Sequence, residues 1–401
     1  MSATDAPATD DSATDDPATA VSTAAGSATT TSAGATTTGA AVDEWQDPAE
    51  AEQAGWARLA GDEDFFLTPE WMRVLHDTAG APMRYLTASR PGSGHGPVAG
   101  LPLVFADRTA PWSLGRTDLL MRHCAAENMD GAAALLAAFE GADRLMPSLM
   151  AGGRHLGRTR LLLAARATAE DADRVVARAE RIAADMGAAS VCFPYLDAAD
   201  ERVARVLGAR GYLSHTSGEF ASLDVPAGGF PEYALGLPSR RSRRVRAERR
   251  RIEASGVRIT LEPLVADEIP RLAELETELF AKYGMTGWDP ARSAAVFAAA
   301  QRTLGPRALV SKAVSDGEIV GFGLILHHGS HWFAHRAGFD YERQGELGLP
   351  LYYELLYYTP ADHAPSRRVT RIHYGIGSTA AKVSRGCVLS TQYLYVKELG
   401  R

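Results

Sequence analysis

Residues 307–341 read "RALVSKAVSDGEIVGFGLILHHGSHWFAHRAGFDY", and the fold turns on how this stretch divides. Apolar, β-branched and aromatic residues fill three runs: "RALVSKAVS", "EIVGFGLILHHG" and "SHWFAHRAGFDY". Such runs favour extended chain. The "DGE" at 316–318 joins the first two, and an Asp-Gly pair accepts the positive φ angles that a tight hairpin demands. The stretch therefore predicts an antiparallel meander of three strands.

The pattern around it is equally regular. "VRITLEPL" reads as a strand ahead of the meander, followed by two helices, "DEIPRLAELETELFAKYG" and "DPARSAAVFAAAQRTLG". After the meander, "GLPLYYELLYYTPADH" begins a helix, "RIHYGIG" is a strand and "STQYLYVKE" a last one. The first half follows a similar order. "PEWMRVLHDT" is a short helix, and "MRYLTAS" and "PVAGLPLVFAD" are strands. "DGAAALLAAFEGA" suits a helix and "RTRLLLAAR" a strand. In "AEDADRVVARAERIAADMG", Val175, Val176, Ala179, Ile182, Ala183 and Met186 recur at helical spacing before Gly187. The strand "ASVCFPYL", the helix "DERVARVLGARG" and the strand "YLSHTSGEFASLDV" complete the half. This predicts two α/β domains of one kind, 44–226 and 227–401, each a mixed, mostly antiparallel sheet flanked by helices.

Composition limits the rest. The first 43 residues are mostly Ala, Thr, Ser, Asp and Gly, with no Lys or Arg. They offer little large apolar surface to offset chain entropy, so a disordered acidic tail is expected. Its six aspartates account for −6 of the net charge of −7, leaving −1 for residues 44–401. No run of about 18 apolar residues occurs, so no membrane span is expected. Three isolated cysteines fit a reducing cytoplasm and no disulfide framework. Walker, Rossmann and G-x-S-x-G signatures are absent from strand-to-helix junctions, and no metal site is expected.

Against that near-neutral body stands "SRRSRRVRAERRR" (239–251), with eight arginines in thirteen positions. Pro238 and Ser239 suit an entry and N-cap, and Gly256 an exit, so 239–254 reads as a helix. It is poorly arranged for folding alone. Arg240, Arg241 and Arg243 face the positive end of the helix dipole. Arg240 with Arg244 and Arg246 with Arg250 are like-charge neighbours at i,i+4. Together with Arg249, this clustering suits a polyphosphate ligand, because guanidinium groups fork onto phosphate. A smaller phosphate ligand, an acidic membrane surface and a solvated face are the competing readings. No aromatic residue interrupts the run, so phosphate contact without base stacking is expected.

The segments "FPEYALGLPSRRSRRVRAERRRIEASGVRITLEP" (230–263) and "HYGIGSTAAKVSRGC" (373–387), in this order of elements, resemble the Fem-like acyltransferases, tandem relatives of the GNAT acetyltransferase fold. The resemblance covers about 220–401 by motif and the first half by element order alone. It implies tandem GNAT-like domains and an amide-forming aminoacyl transfer from aminoacyl-tRNA. The acceptor would be an amine of a cell-wall precursor or, as in relatives from antibiotic pathways, an amine or hydroxylamine of a natural-product intermediate. On that reading Arg240, Arg241, Arg243, Arg244, Arg246, Arg249 and Arg250 meet tRNA. Gly375 and Gly377 shape a binding loop, Lys382 stabilises the oxyanion, and Arg385 binds a substrate anion. Tyr352 is a candidate to line the cleft, and His335 a candidate general base. No cofactor is implied. An acyl-CoA-dependent N-acetyltransferase is the alternative donor reading, although Gly345 and Gly348 in "RQGELGLPLYYELL" do not match the usual pyrophosphate loop. A non-catalytic protein that recognises RNA or a cell-wall precursor is the alternative of another class.

Overall fold

The computed structural model describes residues 40–91, 95–110, 114–153, 158–285 and 288–400. Its strands are β1 (Ala41–Trp45), β2 (Met83–Ser89), β3 (Ala99–Ala106), β4 (Ser148–Ala151), β5 (Leu162–Leu163), β6 (Ser190–Asp197) and β7 (Leu213–Asp224). The second half adds β8 (Arg258–Pro263), β9 (Ala308–Ser315), β10 (Glu318–His328), β11 (His331–Phe339), β12 (Arg371–Gly375) and β13 (Val388–Glu398). All join one sheet in the order β1-β2-β3-β4-β6-β13-β7-β12-β11-β10-β9-β8, with the short β5 pairing to β3.

The same ladder occurs twice. β1 to β4 are antiparallel neighbours and β6 runs parallel to β4. β8 to β11 are antiparallel neighbours and β12 runs parallel to β11. The last strand of the chain does not stay with its own half. β13 lies between β6 and β7, antiparallel to both, while β7 carries β12 on its other edge.

One face of the sheet carries a core that runs through both halves, with Phe65, Trp71, Leu272, Phe297, Phe322 and Phe333 among its buried side chains. Across it the helices Pro69–Thr78 and Pro290–Leu304 pack on each other. The helix Ile269–Lys282 lies so close to β11 that a Cβ on Gly338 would sit 2.4 Å from the Glu276 nitrogen. On the opposite face, Ala169–Asp185 and Glu201–Ala209 cover the first half. The helix Gly229–Gly236, the arginine helix Ser239–Glu253 and the segment Leu351–His363 cover the second.

Three readings are corrected. The expected tail falls outside the described residues up to Gly39, but Ala41–Trp45 pair with β2, because Val42 and Trp45 have core to pack against. "RTRLLLAAR" contributes only Leu162–Leu163 as strand, since Thr159 and Arg160 are held by other partners. Ser239 is the first helical residue and makes no cap; Pro238 occupies that position.

Candidate active site

The two parallel strand pairs separate soon after they meet. β4 and β6 pair only from Ser148 to Met150 and Ser190 to Cys192. The chain then returns to fill the opening. The Thr159 amide donates to the Tyr195 carbonyl at 3.1 Å, the Tyr195 amide donates to Thr159 Oγ1 at 3.0 Å, and Arg160 is held at 2.8 Å from both Asp64 and Asp200. β11 and β12 pair only from His331 to Phe333 and Arg371 to His373. Among the described residues no strand or backbone hydrogen bond bridges this second fork beyond that point.

Both arms of the second fork carry a bulge just past its apex. The β10 ladder skips His335, and the β7 ladder skips Tyr374. Bulges bend a strand and re-aim its side chains. The Tyr374 ring stacks on Tyr357 at 4.5 Å. Both hydroxyls are buried, that of Tyr374 without a hydrogen bond among the described residues, and burial pushes both well above the ordinary tyrosine range. Tyr352 stands beside Tyr357, with ring centroids 6.0 Å apart, so the expected cleft residue is at the fork.

The glycine loop follows β12. Gly375, Gly377 and Ser378 have φ of 67°, 77° and 49°, a region open to glycine and strained for most other residues. This backbone turns three successive carbonyls inward onto one ammonium. Lys382 Nζ donates to Tyr374, Gly375 and Ile376 at 2.7, 2.8 and 2.8 Å. Lys382 is buried, and burial lowers its pKa to about 8. Three acceptors on one nitrogen is the geometry of an ammonium ion. All three protons are therefore engaged with the loop, and oxyanion stabilisation by Lys382 requires one carbonyl to be exchanged.

Arg385 is only 1% exposed, and the expected contact with a substrate anion gives way to an internal one. Its Nη2 donates to Glu248 Oε2 at 3.0 Å, Nε to the Tyr358 hydroxyl at 2.9 Å and Nη1 to Ser384 Oγ at 2.9 Å. Its guanidinium lies 3.5 Å over the Tyr353 ring. Glu248 claims it because a buried carboxylate needs a cation. Glu248 also accepts from Arg244 Nε at 2.8 Å. The sequence signal for Glu248 was present: it is the one acid inside the arginine run, four residues after Arg244.

His335 is not brought to Lys382. Its ring meets Trp71 at 4.9 Å and Phe66 at 5.5 Å, within the core of the opposite face. Backbone amides of 321–326 are also unavailable as oxyanion donors, since β10 is paired on both edges. The unpaired edge belongs to β11 beyond Phe333.

The arginine helix borders the same loop. Ser242, Val245, Glu248 and Ile252 are its buried side. Arg240, Arg243, Arg244, Arg250 and Arg251 are exposed. Of these only Arg244 has a carboxylate partner among the described residues. Arg246 and Arg249 are tied down: Arg246 Nε donates to the Ser242 carbonyl, and Arg249 pairs with Asp362 at 2.7 Å. Arg241 is half-buried with no ion pair among the described residues.

A mixed, mostly antiparallel sheet that opens between two parallel strands, repeated in tandem, defines the GNAT-like class of transferase folds. The FemAB-like family model, described as peptidoglycan biosynthesis and recognition, matches residues 156–396, and the chain belongs to that family. Among solved structures the chain is similar to FemX at 12% identity and a TM-score of 0.60, covering 89% of this chain and 97% of that one. It is also similar to the C-terminal domain of a putative lysylphosphatidylglycerol synthetase from Agrobacterium fabrum at 11% identity and a TM-score of 0.50, covering 87% and 92%. A tandem GNAT protein from the clavulanic acid biosynthesis pathway is 15% identical with a TM-score of 0.48, covering 90% and 99%. No curated protein sequence matches the chain. Family and fold together support an acyltransferase-type role. Among the described residues no helix is long and apolar enough to cross a membrane.

Proposed function

We propose that the protein is a cytoplasmic aminoacyltransferase that moves an aminoacyl group from aminoacyl-tRNA onto an amine or hydroxylamine of a cell-wall precursor or natural-product intermediate. The observation that carries this reading is the exposed arginine face beside the open fork. Four exposed arginines of this helix, Arg240, Arg243, Arg250 and Arg251, have no carboxylate partner among the described residues, and such a cluster is a cost to a folded chain that a bound anion offsets. We read the halves 44–226 and 227–401 as tandem repeats, with the first fork closed by its own chain and the chemistry in the second.

In that fork the neutral amine attacks the ester carbonyl carbon of the donor. The carbonyl oxygen becomes an oxyanion facing the free edge of β11, where backbone N–H groups are fixed in place. Collapse of the tetrahedral species forms the amide and expels the ribose oxygen, which takes the proton lost by the amine. Lys382 holds the glycine loop in shape, and Tyr352 lines the opening.

The test is donor discrimination. The protein is incubated with a charged tRNA pool and, separately, with acetyl-CoA, each with amine and hydroxylamine acceptors. Acceptor-dependent loss of the acyl group from tRNA is the expected result. Turnover of acetyl-CoA alone would move the assignment to an N-acetyltransferase. Turnover of neither donor, with RNA still bound, would favour a recognition protein.

A further inference from the structure

Glu248 joins its own helix to two segments distant in sequence. One carboxylate receives Arg244 from the exposed helix face, Arg385 from the glycine loop, and the Tyr358 hydroxyl from the segment beneath. The helix is also held by its buried apolar residues Val245 and Ile252 and by Arg249, which pairs with Asp362 at 2.7 Å and lies over the Phe230 ring. Arg385 in turn is built into the loop. Its carbonyl accepts from the Tyr233 hydroxyl at 2.9 Å, and its amide donates to the Lys382 carbonyl at 2.9 Å. A continuous set of contacts thus runs from an exposed arginine, through Glu248 and Arg385, to Lys382, the residue that the loop carbonyls surround.

The geometry at Arg244 makes this connection sensitive to ligand. Nε is committed to Glu248, and a guanidinium has four further N–H donors to offer a phosphate. A phosphate there fixes the orientation of Arg244 and so the position of the carboxylate it shares. We propose that Glu248 is a positioning residue that couples polyanion binding on the arginine face to the order of the 375–387 loop. This rests on the reading of that face as the donor site.

The experiment uses the full chain and uncharged bulk tRNA. Amide hydrogen exchange is followed in peptides spanning 375–387, and tRNA binding is measured on the same samples by anisotropy. In the wild type, tRNA is expected to slow loop exchange by about tenfold, a local change in opening equilibrium. In Glu248→Gln, tRNA should bind within about twofold of wild type, because the exposed arginines remain, while loop exchange no longer responds to it. Glu248→Asp should restore part of the response. If Glu248→Gln does not fold, Arg385→Lys keeps the charge, loses the contacts to Tyr358 and Ser384, and should give the same uncoupling.

A purely structural role predicts faster loop exchange with an unchanged ratio between bound and free protein, and that result would overturn the proposal. So would a wild-type loop indifferent to bound tRNA. Failure of the wild type to bind tRNA at all would overturn the donor-site reading as well, and the anisotropy arm separates the two cases.

Discussion

Lys382 is surrounded by three carbonyl oxygens, and that cage gives its substitution a signature. Lys382→Met keeps most of the stem volume and leaves three inward carbonyls without their donor. Each buried group left unpaired costs about 1–3 kcal/mol, so a fall in melting temperature of several degrees is expected together with lost turnover. A direct oxyanion role predicts a different pair of results: turnover down by roughly 10²–10³ and an unchanged melting temperature. Thermal melting alongside single-turnover rates distinguishes them. Gly375 and Gly377 mark the loop after β12, because glycine spacing is a local signal, but Lys382 lies beyond it on the short helix Thr379–Val383 rather than in the loop. The sequence could not show that the lysine bonds inward. That depends on three positive φ angles, and one of them belongs to Ser378, which carries no such signal.

At the scale of elements, the second fork is pinned at its apex by a histidine pair. His373 Nε2 and His331 Nδ1 are 3.1 Å apart, and Phe333 stacks on His373 at 4.5 Å. Burial first, then Arg158, His331 and Arg371, lowers His373 to about 2, and burial lowers His331 as well. Both rings therefore stay neutral in the native state at pH values where the unfolded chain takes up protons. Stability should then fall as pH drops below about 6.5, at up to about 1.4 kcal/mol per pH unit for each such group. Urea midpoints at pH 6.5 and 5 measure the slope. His373→Gln should flatten it by up to about 2 kcal/mol over that interval, and an unchanged slope would show that the apex does not titrate in this way. Strand identity here was legible from alternating apolar residues. The bulges at His335 and Tyr374 were not, since they arise from the divergence of β11 and β12 and leave no local mark. For the same reason His335, one of four histidines in 327–335, could not be assigned to a face from sequence.

The whole molecule shows what a linear reading lacks. The repeat of element order in the two halves was visible, and the repeated ladder matches it. The placement of β13 between β6 and β7 was not. "STQYLYVKE" states that it is a strand and says nothing of its neighbours, because partner choice is decided by tertiary packing. Nor could spacing reveal that one fork is filled by Thr159 and Arg160 while the other stays open. The clustering of the arginines was legible from the sequence alone, and its use as an anion site is our proposal. Folding then divides the run, with Arg244 on the buried Glu248, Arg249 on Asp362, and Arg240, Arg243, Arg250 and Arg251 left outward. The central claim joins that outward face to acyl transfer in the open fork. Its most direct test is the salt dependence of kcat/KM for transfer from charged tRNA to an amine, compared between wild type and the triple variant Arg240→Gln, Arg243→Gln, Arg250→Gln. The account predicts a steep wild-type loss with salt and a slope shallower by roughly 0.7–0.9 for each phosphate contact removed. A triple variant with wild-type transfer and wild-type salt slope would contradict it.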